Sequence, residues 1–249
     1  MHQIAFKLGS RPIYWYGIMV ATAFLLSMIH WTVLERRENR PKGFASDMAM
    51  WVMIGGILGA RIVYILGNLP YFIDAPLKMI RIDEGGLVFY GGLMGCVAVV
   101  IIMAKRQKEP LWSMADFTVA PLAMGHAIGR VGCFLNGCCY GIETKCPLGI
   151  EMQGAVRQPV QLYSVFLNIL LYLFLWRIYS HKKRDGAVLM AYCLCYPPIR
   201  FLLEFLRGDP RLRFLHLTSA QIMSIFIFLC GIALWKFLPE KLFRKQQTS

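Results

Sequence analysis

Charge is what this sequence lacks. Only 16% of its 249 residues are Asp, Glu, Lys or Arg, where an average soluble domain carries about 25%. Hydrophobic residues make up 57% of the chain, which excludes a water-soluble globule. Acids are scarcer than bases, 14 against 27, for a net charge of +13. No binding module or continuous basic stripe accompanies that charge, so nucleic acid is excluded as a partner. No linker, repeat or low-complexity stretch divides the chain, and one integral-membrane domain over residues 1–249 is expected.

What the sequence does have is long apolar runs. They fall at Tyr14–Leu34, Asp47–Leu66, Gly86–Ala104, Leu111–Val131, Val160–Tyr179, Gly186–Leu206 and Leu217–Leu238. A helix needs about 20 apolar residues to cross the hydrocarbon. The fold class expected is an all-α polytopic membrane protein of about seven transmembrane helices. The first run is too long for a signal-peptide core and ends in charges instead of a cleavage site, so it reads as a retained span.

Alternate connections are basic. Fifteen Lys and Arg, among them Arg36, Arg37, Arg40, Lys105, Lys182, Lys241, Arg244 and Lys245, fall on one set, and nine on the other. The positive-inside rule then puts the N-terminus outside and the C-terminus in the cytoplasm. The longest outward connection, 132–159, is too short for a core of its own and reads as a small head or arm. Gly55 with Gly59, Gly91 with Gly95 and Gly125 with Gly129 have the four-residue spacing that lets membrane helices approach closely.

The last three bases, Arg61, Arg130 and Arg200, sit inside or at the edge of apolar runs. An arginine at mid-bilayer costs at least about 2.5–3.5 kcal/mol on insertion scales. Arg200 has a partner one turn away in Glu204, read as the only acid deep in an apolar run. The remaining positive charge favours an anion, and phospholipid head groups are the abundant anions of a membrane. The glycine-rich segment from Gly125 to Gly141 carries His126 one turn before Arg130, on the same face, and Asn136 to orient a polar head group. Tyr196-Pro197-Pro198 precedes Arg200 and reads as a kink or as a broken helix lining a cavity. Cys133, Cys138, Cys139 and Cys146 lack the paired C-x2-C spacing of structural zinc sites. Free packing leads there, a disulfide comes second, and neither metal nor cofactor is expected.

Six motifs occur in order along nearly the whole chain. They are Tyr14-Trp15-Tyr16-Gly17, Gly59-Ala60-Arg61, Gly85-Gly86-Leu87-Val88-Phe89-Tyr90-Gly91-Gly92-Leu93, Gly129-Arg130-Val131-Gly132-Cys133-Phe134-Leu135-Asn136-Gly137, Pro159-Val160-Gln161-Leu162-Tyr163 and Arg200 to Arg207. In these the chain resembles the phosphatidylglycerol–prolipoprotein diacylglyceryl transferases of the bacterial inner membrane. The resemblance implies transfer of the diacylglyceryl group of phosphatidylglycerol to the lipobox cysteine of a prolipoprotein signal peptide, with release of glycerol phosphate. It implies membrane lipids as surroundings and a phosphate held by Arg130 and Arg200. Tyr16, Asn136, Gly141, Tyr196 and Glu204 would shape the site, and the same motifs add Arg61, Gly137, Gln161, Tyr163 and Arg207 to the substrate-binding set. Tyr90 stands where well-known members have His and joins the catalytic set. Gln158 replaces another His, and Cys133 and Cys138 stand in place of Asn and Glu. The base is then His126, or the arginine field acts without one. Two alternatives stay open: a diverged relative with another acceptor, and a non-catalytic protein that binds anionic lipid.

Overall fold

The computed structural model describes residues 3–9, 11–81, 85–211, 213–214 and 216–237, without the side chains of Arg11, Arg213, Phe214 and Phe237. Leu238, the expected end of the last span, and Lys241, Arg244 and Lys245 lie outside the described residues. A hairpin of β1 (Ile4–Leu8) and β2 (Arg11–Tyr14) leads into helix α1 (Trp15–Arg37). Helices α2 (Phe44–Gly67), the short α3 (Leu69–Asp74), α4 (Phe89–Gln107), α5 (Leu111–Val119) and α6 (Leu122–Leu135) follow. A second hairpin, β3 (Ile150–Met152) with β4 (Ala155–Arg157), precedes α7 (Val160–His181) and α8 (Ala187–Phe205). The two-residue strands β5 (Arg213–Phe214) and β6 (Leu217–Thr218) lead to α9 (Ser219–Phe237).

Seven helical segments are long and apolar enough to cross a membrane, with α5 and α6 together forming the fourth. They coincide with the seven apolar runs. Large apolar side chains such as Leu66, Met94, Phe166 and Phe226 are more than half exposed, as expected of helices whose outer solvent is lipid. The apolar runs did not announce the hairpins, the first of which precedes the first run while the second lies in the 132–159 connection.

The chain divides into two compact units, residues 31–115 and residues 1–30 with 116–249. In the first of these, α2 and α4 touch backbone to backbone. A Cβ added to Gly59 would stand 2.3 Å from the Gly91 carbonyl oxygen, and one added to Gly95 only 2.0 Å from that of Gly55. Both glycine pairs are therefore packing devices. Nothing lies within 4 Å of a Cβ built on Gly129, and the nearest atom to one on Gly125 is Ser27 Oγ at 3.5 Å. The third pair is no close helix contact. Gly95→Val should cost about 1–3 kcal/mol through overpacking, while Gly129→Ala should leave the thermal midpoint in detergent unchanged.

Arg61 belongs to the same unit, and its guanidinium is spent on the chain itself. Nε donates to the Met79 carbonyl at 2.9 Å, Nη1 to Gly85 and Gly86, and Nη2 to Lys78 and Arg81. Gly86, at φ 77°, can approach because a Cβ there would collide with the Tyr64 ring and Arg61 Nη1.

In the other unit α7 packs against α6 and α8, and α9 against α8. His30 of α1 docks on α7 through Tyr172 Oη at 3.0 Å and the edges of Tyr172 and Trp176. Asp116 of α5 is fully buried. Its carboxylate accepts from the backbone amides of Gly186, Val188 and Leu189 at 2.9–3.0 Å and from Lys182 Nζ at 3.1 Å. It thus satisfies the orphan donors at the start of α8. Glu204 is accordingly not the only acid deep in an apolar run. The charge of Asp116 is matched locally by Lys182 and leaves the arginine excess as it was.

Candidate active site

The site is built on α6. Helical geometry from Leu122 to Leu135 puts His126, Arg130 and Cys133 on one face, at spacings of four and three residues. The stripe extends about 10 Å at 1.5 Å per residue. Gly132 lets α1 approach that helix: a Cβ there would lie 3.0 Å from Met19 Cβ and 3.4 Å from the Tyr16 ring. Tyr16 and Asn136 both line an open, mainly apolar cleft of about 600 Å³ between Pro12 and Ala21.

Helix α8 supplies the second cation. It runs without interruption through Pro197 and Pro198, so the prolines do not break the span. They do remove two amide donors and leave the carbonyls of Cys193 and Leu194 without their usual helical partners. Tyr192 stacks on Tyr196 with centroids 5.0 Å apart, and His126 lies tilted against the other side of the pair, 5.0 Å from Tyr196. The His126 Nδ1 atom is buried without a hydrogen-bond partner among the described residues.

The two arginines of this unit differ in how they are occupied. Arg200 Nη1 donates to Glu204 Oε2 at 2.5 Å. The other Glu204 oxygen faces Arg211 Nη1 at 3.4 Å, without hydrogen-bond geometry. Arg130 has neither a hydrogen bond nor an ion pair among the described residues. It stands within electrostatic reach of Arg200, His126 and Tyr16. An unpaired guanidinium in an apolar span beside a second one carries positive charge that a bound anion would offset.

The head segment closes over the end of α6. The Gln161 side chain, almost wholly buried, donates to the Cys138 carbonyl at 2.8 Å. Tyr163 Oη donates to Gln158 Oε1 at 2.6 Å, and Gln158 Nε2 donates to Thr144 Oγ1 at 3.0 Å. Gly141 touches the Gln158 carbonyl so closely that a Cβ would lie 2.3 Å from it. The Gly137 carbonyl accepts from Gln153 Nε2 at 3.2 Å. These four residues, expected to bind substrate, fix the loop that carries the cysteines. Arg207 forms a two-pronged pair with Asp209, both contacts at 2.8 Å. Burial opposes charge on both, yet their mutual hydrogen bonds win, holding the guanidinium above and the carboxyl below its ordinary value. The Cys139 thiol is held well below its ordinary value, chiefly by hydrogen bonds from Cys133 and Cys138 and then by Arg207.

Arg130, Arg200, His126, Tyr16, Asn136, Tyr196, Glu204 and Arg207 thus lie in one unit, with the loop residues Gly137, Gly141, Gln161 and Tyr163. Arg61 and Tyr90 lie in the other. Asp116 was missed, although an acid inside an apolar run is itself a signal.

Known sequences match this chain over most of its length. Residues 3–237 fit the family model of prolipoprotein diacylglyceryl transferase. The chain belongs to that family. It is 35% identical over 245 residues to the phosphatidylglycerol–prolipoprotein diacylglyceryl transferase of Clostridium tetani, covering 93% of this chain and 96% of the relative. The enzyme of the same name from Solidesulfovibrio magneticus is also 35% identical, covering 92% and 91%, and that of Coxiella burnetii 33%, covering 93% and 94%. Family membership makes the chain a diacylglyceryl transferase by class. Within that family, the arginines of α6 and α8 are the groups whose chemistry needs an account.

Proposed function

We propose that this protein transfers the diacylglyceryl group of phosphatidylglycerol to the lipobox cysteine of prolipoproteins, in the bacterial inner membrane. The vacant guanidinium of Arg130 beside Arg200 carries the reading. The cysteine sulfur attacks a glyceryl carbon, forming a thioether as the bond from that carbon to the phosphate oxygen breaks. Negative charge grows on the departing glycerol phosphate. Arg130 spends none of its donors on the described residues and can meet that charge, and Arg200 shares its donors with Glu204. Donors already in place inside a dry span stabilise the transition state without reorganising. The basic excess on alternate loops supports an outward N-terminus, which would open the site to the outer leaflet. The apolar cleft beside Tyr16 and Asn136 is suited to acyl chains or to the apolar part of a signal peptide.

His126 is the candidate acceptor of the thiol proton, because its buried Nδ1 has no partner to spend itself on among the described residues. The test uses purified protein, phosphatidylglycerol vesicles and a lipobox peptide, with product read by mass spectrometry. Thioether and glycerol phosphate should form with the Cys peptide and not with its Cys→Ser counterpart. Bound phosphatidylglycerol with no product would favour the lipid-binding alternative. His126→Gln should slow turnover and change its pH profile; full activity at every pH would leave the arginine field to act alone.

A further inference from the structure

The sequence spacing of Cys133, Cys138 and Cys139 gave no reason to group them, because it has no C-x2-C pair. Folding supplies the grouping. Cys133 ends the polar stripe of α6, and the chain turns back after Leu135, so that all three sulfurs lie within 4.8 Å of one another. Cys138 N–H donates to the Cys133 carbonyl at 3.1 Å, and the Cys138 thiol points to the same carbonyl at 3.6 Å. Cys139 adopts φ 61°, in the left-handed region that side chains rarely enter. The turn is clamped from three sides: Gln161 holds the Cys138 carbonyl, Gly208 N–H donates to Tyr140 O at 3.0 Å, and Ile142 N–H to Leu206 O at 2.9 Å. Three sulfurs on a clamped turn are preorganised.

The geometry points to a binding site for one thiophilic divalent cation of the zinc type, held by Cys133, Cys138 and Cys139 and presenting a fourth coordination position to the acceptor thiol. Sulfurs bound to zinc at about 2.3 Å in a tetrahedron are a little under 4 Å apart, a separation this cluster accommodates. The cluster contains no His, Asp or Glu ligand among the described residues. Arg207, beside Cys139, is a cation and cannot complete the shell. Three protein ligands with an open position is the pattern of a reactive zinc site; structural sites supply all four. Three thiolates and one divalent ion leave a net single negative charge. Arg207 and Arg130 stand close enough to offset it. A thiol that coordinates such an ion gives up its proton, here to His126, the base proposed above, and the thiolate is the nucleophile. The bound ion would thus hold the acceptor sulfur as its activated thiolate. The role of the fourth position rests on the transferase reading above; the metal site itself does not.

The full-length protein, purified in detergent under reducing conditions, is loaded with Zn²⁺ or Co²⁺, and metal content is measured after gel filtration. One metal per chain is expected, with a cobalt–thiolate charge-transfer band. Cys133→Ser, Cys138→Ser and Cys139→Ser should each lose stoichiometric binding while Cys146→Ser keeps it, and circular dichroism checks that the variants are folded. Adding the lipobox Cys peptide should change the ligand-field bands of cobalt, and the Ser peptide should not. Absence of stoichiometric metal overturns the proposal, as does a pre-formed disulfide among the three thiols under reducing purification, or a bound cobalt blind to the Cys peptide. Product formation without metal would remove the site and leave the transferase standing. A peptide-sensitive metal without product would do the reverse.

Discussion

Replacing Arg130 by alanine should reduce turnover about 10²–10³-fold, the usual loss when one preorganised donor to a developing oxyanion is removed. Arg130 uses none of its donors on the described residues of the protein. Its loss therefore strands no buried partner, and the variant should unfold at the temperature of the parent. Lysine would restore the charge but not the planar fork that meets two phosphate oxygens at once. Arg130→Lys should recover only part of the rate. Arg200→Ala makes the useful contrast, because it also leaves Glu204 buried with Arg211 as its remaining ion-pair partner. That variant should lose both activity and stability. An Arg130→Ala protein with undiminished turnover would remove the vacant guanidinium from the mechanism.

Asp116→Ala should be the most destabilising single change in the chain outside the site. The carboxylate is fully buried and receives four donors, one of them the ammonium of Lys182. Removing one partner of a buried pair costs about 3–5 kcal/mol, because the other is left uncompensated. Here three backbone amides at the start of α8 lose their acceptor as well. The consequence reaches Arg200 and Glu204, which ride on that helix. The check is thermal unfolding in detergent, followed by activity at a temperature where the variant is still folded. Unchanged unfolding would mean that water replaces the carboxylate without loss.

How much of this was legible in the sequence depends on the range of the interaction. Hydropathy is local and continuous, and it located all seven spans to within a few residues. Gly55, Gly59, Gly91 and Gly95 were legible as packing positions because spacing along one helix determines which face they share. Gly129 shows the limit: the same spacing occurs where no neighbouring helix comes near. Arg61 and Arg130 look alike in sequence, each a lone arginine in an apolar run. They part only in three dimensions, where, among the described residues, five carbonyls converge on Arg61 and none on Arg130. The cysteines illustrate the same limit, since a reversal of the chain after α6 brings together sulfurs that the linear spacing kept apart. The hairpins were missed because a search for long apolar runs passes over strands of two to five residues that turn back on themselves.

The way Arg61 is satisfied has a consequence for how this chain can vary. Among the described residues, every acceptor it uses is a peptide carbonyl. The arginine is therefore sensitive to where the backbone places the carbonyls of Lys78, Met79, Arg81, Gly85 and Gly86, and these five contacts read position and not side chain. Met79→Leu, which leaves its carbonyl in place, should be silent, whereas Gly86→Ala should not be, because a Cβ there would meet the Tyr64 ring and Arg61 Nη1. Lysine in place of Arg61 would not be, since one ammonium has too few donors in the wrong directions for five oxygens. A charged residue in an apolar span is here a template for backbone, holding five carbonyls in place without bonding to any of their side chains.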